Sequence, residues 1–123
     1  MRVPSTSSGF GTKFSNPATL PASVGNGVAF TPAGDAIAVA HSSSPYITAY
    51  PWSSSGFGSK YANPATLPAA RGASAAFTPT GDAIAIAHTS SPYVTAYPWS
   101  SSGFGSKYAN PATLPAGNGG WPA

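Results

Sequence analysis

A repeat of 47 residues constrains this chain more than any other feature of its sequence. Gly9-Phe10-Gly11 returns as Gly56-Phe57-Gly58 and again as Gly103-Phe104-Gly105, an offset of 47 each time. N-P-A-T-L-P stands at 16–21, 63–68 and 110–115 with the same period. The longer segment F-T-P-x-G-D-A-I-A-x-A-H-x-S-S-P-Y-x-T-A-Y-P-W-S-S-S begins at Phe30 and at Phe77. Many of the differences are conservative, as in Val39/Ile86, Ile47/Val94, Phe14/Tyr61 and Ser42/Thr89, while 23–28 differs from 70–75. Such uniformity points to recent duplication or deliberate design. A repeat of this length is one supersecondary unit that buries its apolar faces only against neighbouring copies.

Proline and glycine, 14 of each, interrupt every window in which a long helix could form. Short runs with period-2 alternation lie between them, a strand signal. Ala36–His41 alternates Ala with Ile37, Val39 and His41; 46–52 sets Tyr46, Thr48, Tyr50 and Trp52 on one face. Thr31-Pro32-Ala33-Gly34-Asp35 and Ser42-Ser43-Ser44-Pro45 fit tight hairpins, and 53–58 a longer connection. Each unit is thus expected to hold four strands, about Gly25–Phe30, Ala36–His41, 46–52 and 60–67. Pro64 sits in the last, so that strand is expected at the outer edge. The small residues of the first three suit a crowded inner region where neighbouring sheets converge on an axis.

Repeated four-stranded antiparallel units of this size indicate an all-β fold of the β-propeller type. The run from Val28 to Ala40, around F-T-P-A-G-D-A-I-A, resembles the F-S-P-D-G-x-x-L-A turn of WD40-like repeats, and 44–50 resembles their third strand. The whole unit is similar to repeats of bacterial and phage-encoded propeller proteins, some associated with tails or surfaces. Pro51-Trp52 stands where that family has a Trp-Asp pair, a departure that bears on the family's buried His–Ser/Thr–Asp–Trp network.

The expected organisation is a spare outer strand (1–21), two blades (22–68 and 69–115) and a C-terminal tail (116–123). Two blades leave an unsatisfied apolar face at each end, and rings of four to eight blades are usual. The chain is therefore expected to partner itself, as a homotrimer of six blades or a homotetramer of eight. At each junction two outer strands compete for one place outside the third strand of blade two. One carries Lys13, Phe14 and Leu20, the other Lys107, Tyr108 and Leu114; Trp121 is a candidate contact with the next subunit.

Chemistry-bearing residues are few. Charged residues make up 6% of the chain, against about a quarter in ordinary soluble domains, which suits an extracellular or virion-associated setting better than a cytoplasmic one. Met1-Arg2-Val3-Pro4-Ser5 lacks a signal peptide's apolar core, so if the protein leaves the cell another route is implied, such as phage lysis, or the chain is an excised or engineered piece. The net charge of +3 comes from five scattered cations against two acids, not the cluster that nucleic acid requires. No apolar run approaches the roughly 20 residues of a membrane span, and no cysteine is present. His41 and His88 have no acidic or thiol partner at ligand spacing, so no metal or cofactor is expected. Asp35 and Asp82 each follow a turn glycine and are expected to cap local N–H groups. No G-x-S-x-G elbow appears, so the chain is not expected to be an enzyme. Tyr50, Trp52, Tyr97 and Trp99 are expected to pack between outer strands, with stacking on a glycan as the alternative.

Overall fold

The computed structural model describes residues 9–117. Its strands are β1 (Gly25–Phe30), β2 (Ala36–His41), β3 (Ile47–Ser53), β4 (Gly56–Phe57), β5 (Gly72–Phe77), β6 (Ala83–His88), β7 (Val94–Ser100) and β8 (Gly103–Phe104), with no helix among the described residues. They form two antiparallel sheets, β1-β2-β3-β4 and β5-β6-β7-β8. The β1–β2 turn is built on Thr31, whose Oγ1 accepts the N–H groups of Asp35 (3.0 Å) and Ala36 (3.1 Å). Gly34 takes φ 75°, which its missing Cβ allows. The β2–β3 turn ends at Tyr46, itself at φ 72°, whose carbonyl accepts from His41 N at 2.9 Å. This turning of Tyr46 starts the third strand at Ile47, one residue later than expected.

The expected outer strand requires correction. Residues 60–67 run beside the sheet without forming a ladder, and the fourth strand is the two-residue β4, inside the expected connection. Gly58 N donates to Pro51 O at 2.7 Å and Tyr61 N to Ala49 O at 2.9 Å. Beyond them Pro64 and Pro68 have no N–H to offer. The equivalent stretches 13–20 and 107–114 form no strand either. All three are better described as straps.

The core lies between the sheets. Ala36, Ala38, Ala40, Ile47 and Ala49, mostly small side chains on one face of sheet 1, cluster with Ile84, Ile86, Tyr97 and Trp99 on the facing side of sheet 2. Each sheet thus has a small-residue face and a large-residue face. Close approach depends on glycine at two places. A Cβ on Gly27 would lie 2.9 Å from Ser74 Cα, and one on Gly72 would overlap the Tyr46 carbonyl. Gly72→Ala is therefore expected to cost about 1–3 kcal/mol in chemical denaturation, as overpacking against backbone does. Gly11→Ala, whose Cβ meets nothing within 4 Å, is the control and should change little.

Candidate functional site

Two buried polar pairs recur at equivalent positions. His41 Nε2 lies 2.8 Å from Thr48 Oγ1, and His88 Nε2 2.8 Å from Thr95 Oγ1. Both rings are fully buried, and each Nδ1 is without a protein partner. Burial lowers both imidazole pKa values from 6.5, because it penalises the charged ring. The unfolded chain then binds protons that the folded chain refuses. Stability is full above about pH 6.5 and is lost as the pH falls through the lower folded values. The melting temperature should fall as the pH is lowered from about pH 7.5, and His41→Gln/His88→Gln should flatten that dependence. Asp82 is held low by hydrogen bonds from Thr78 and Thr80, so it acts at more acid pH and does not confuse the measurement.

Asp35 and Asp82 are exposed. Rather than accepting backbone N–H groups, each carboxylate accepts the turn threonine's hydroxyl, Thr31 at 2.6 Å and Thr78 at 2.8 Å. The threonine makes the backbone caps expected of the aspartate.

The aromatic residues form one cluster per sheet. Trp99 meets Tyr61, Phe77 and Phe104 edge-on with centroids 5.1–5.2 Å apart. Trp52 meets Phe14, Phe30 and Phe57 at 5.0–5.3 Å. Tyr97 donates its hydroxyl to Thr66 O and Tyr50 to Thr19 O, each at 2.5 Å. Burial pushes the Tyr97 phenol up to about 12, so it remains a donor. Tyr50, Tyr97 and Trp99 are buried, and Trp52 is half-buried. The first three belong to the buried core. Gly103 explains the G-F-G motif: at φ 100° it lies beneath the Tyr61 ring, 3.0 Å from where its Cβ would be.

The straps connect these clusters, and their three copies differ in surroundings. In the middle copy, Pro64 and Pro68 are buried, and Tyr61 and Leu67 half-buried. In the first copy Phe14 is 45% and Leu20 63% exposed; in the third, Tyr108 is 49% and Leu114 38% exposed. Within each copy the lysine is folded back alike: Lys13, Lys60 and Lys107 donate to Asn16, Asn63 and Asn110. Trp121 lies outside the described residues.

The two sheets differ in the same way. On the small-residue face, Ala36, Ala38, Ala40, Ile47 and Ala49 of sheet 1 are buried, whereas Ala83, Ala85, Ala87, Val94 and Ala96 of sheet 2 are half-exposed. On the large-residue face, Val28 and Phe30 stand open on β1, while their equivalents Ala75 and Phe77 pack against the shared core. A hollow lined by Gly25, Asn26, Gly27, Val28 and Val39 opens on this side. A separate cleft of about 190 Å³ lies between the sheets, with Asp35, Thr80, Ser100 and Ser101 beside Tyr61 and Trp99.

No family model matches this chain, and no curated protein matches it. Sequence reasoning singled out the aromatic residues, the histidines and the straps. It missed Thr31 and Thr78 as turn caps, and Thr48 and Thr95 as histidine partners, for which the His-to-Thr spacing of seven was the signal. It also missed Val28 and Phe30 as an open face.

Proposed function

We propose that this chain is a non-enzymatic structural module that assembles with copies of itself, head to tail, into a closed β-propeller. Each sheet is then a blade, and the ring has six blades as a homotrimer or eight as a homotetramer. One observation carries this reading. The junction between the two sheets joins a small-residue face to a large-residue face, and the chain's two ends leave the small-residue face of sheet 2 half-exposed and Val28 and Phe30 exposed on the large-residue face of sheet 1. A copy added at each end, placed as sheet 2 is placed on sheet 1, covers both. Such a heterologous contact repeats until the rotation closes. Ala83, Ala85, Ala87, Val94 and Ala96 of one copy would cover Val28, Phe30 and Trp52 of the next. Native mass spectrometry tests this: three or four times 12.2 kDa is expected, and a monodisperse monomer would defeat it.

A second reading, carbohydrate binding, is favoured by the inter-sheet cleft, where hydroxyl and carboxylate groups border two aromatic rings. Assembly would repeat that cleft at every junction. On a glycan array, binding lost in Asp35→Asn with native mass unchanged would support it; no binding to any glycan would remove it.

A further inference from the structure

The two terminal straps cannot both occupy one junction, and their contacts differ in kind. We propose that the N-terminal strap, residues 13–20 of one copy, closes each junction by docking onto β7 of the preceding copy, and that the C-terminal strap of that copy is released. This rests on the head-to-tail assembly proposed above.

The middle strap shows what a complete strap touches. Toward the sheet before it, Tyr61 N donates to Ala49 O at 2.9 Å. Toward the sheet after it, the Tyr61 ring packs on Trp99 at 5.1 Å, Thr66 O accepts from Tyr97 at 2.5 Å, and Gly103 lies under the ring. The forward set is the larger one.

The first strap already makes the forward set within its own chain. Phe14 packs on Trp52 at 5.0 Å, Thr19 O accepts from Tyr50 at 2.5 Å, and the Phe14 ring lies over Gly56. The third strap holds the backward contact, Tyr108 N to Ala96 O at 2.9 Å. When two copies meet, seating the third strap would require the next copy to give up its entire forward set. Seating the first requires exchange of one hydrogen bond: Phe14 N–H replaces Tyr108 N–H on Ala96 O of the preceding copy. The shared lysine–asparagine fold means that neither strap must reorganise internally to dock.

The chain carries its own reporter, since Lys13, Lys60 and Lys107 each precede the strap aromatic. Limited trypsin digestion of the assembled full chain should cut after Lys107 at least about tenfold faster than after Lys13, because local release exposes the backbone. Lys60, in the middle strap, is the protected reference. Faster cutting after Lys13, or equal protection of Lys13 and Lys107, would overturn the proposal. Full-length variants give a second readout by native mass. Tyr108→Ala/Leu114→Ala should leave the assembly intact, and Phe14→Ala/Leu20→Ala should weaken it; the reverse order, or no effect from either pair, would overturn it. A monomeric wild-type chain would instead remove the assembly reading and this inference with it.

Discussion

Ala85→Glu is expected to leave a folded chain that no longer assembles. Ala85 is half-exposed on the small-residue face of sheet 2, so a carboxylate there keeps its water in the isolated chain. At a junction it would occupy the place that Ala38, completely buried, holds between the two sheets. An unpaired charge buried there costs several kcal/mol, more than a contact between marginal faces can offset. The same substitution at Ala38 puts that charge inside the folded chain and is expected to unfold it. Native mass and circular dichroism separate the outcomes: Ala85→Glu gives monomer with wild-type strand signal, and Ala38→Glu loses the signal. An Ala85→Glu chain that still assembles would place the interface elsewhere.

The second large effect is at Trp99. This side chain is 7% exposed and joins the strap, β5 and β8 through three edge-on aromatic contacts. Truncating a buried tryptophan removes its transfer free energy and leaves a cavity, typically about 3–5 kcal/mol. Trp99→Ala is expected to show that loss in denaturant unfolding whether or not the chain is assembled. Trp52, its equivalent, is half-buried at the open end. Trp52→Ala should therefore cost less in the isolated chain and approach the Trp99 value only in the assembly. Equal costs in the isolated chain would mean that the open end is already complete.

Much of the fold was legible because repeat and alternation are local signals. The bounds of β1 and β2 follow from period-2 runs ended by Thr-Pro and Ser-rich turns. The outer strand was misread because 60–67 has the composition of an edge strand, with Pro64 as its apparent mark. Whether such a stretch pairs with one sheet or bridges two depends on where the second sheet stands, and no local pattern records that. β4 was missed because two residues, Gly56 and Phe57, are too short to alternate.

The aromatic residues stand out in the sequence, but their exposure depends on tertiary packing. Tyr50 and Tyr97 are buried because a strap lies over each, a contact spanning 31 residues. The alternation of Ala with Ile, Tyr and Trp was equally visible. Its meaning as two complementary faces required seeing one meet the other. Near-identical straps in three surroundings then mark which contacts the two ends lack.

The most direct test of that complementarity is a mixing experiment between two blocked chains. Ala85→Glu closes the small-residue face, and Val28→Glu closes the large-residue face, where Val28 is 60% exposed. Each variant alone should be a 12.2 kDa monomer. Mixed in equal amounts, they should form a heterodimer of twice that mass, through the one junction whose two faces are both intact. A mixture that stays monomeric, or a single variant that still assembles alone, would contradict head-to-tail joining of unlike faces.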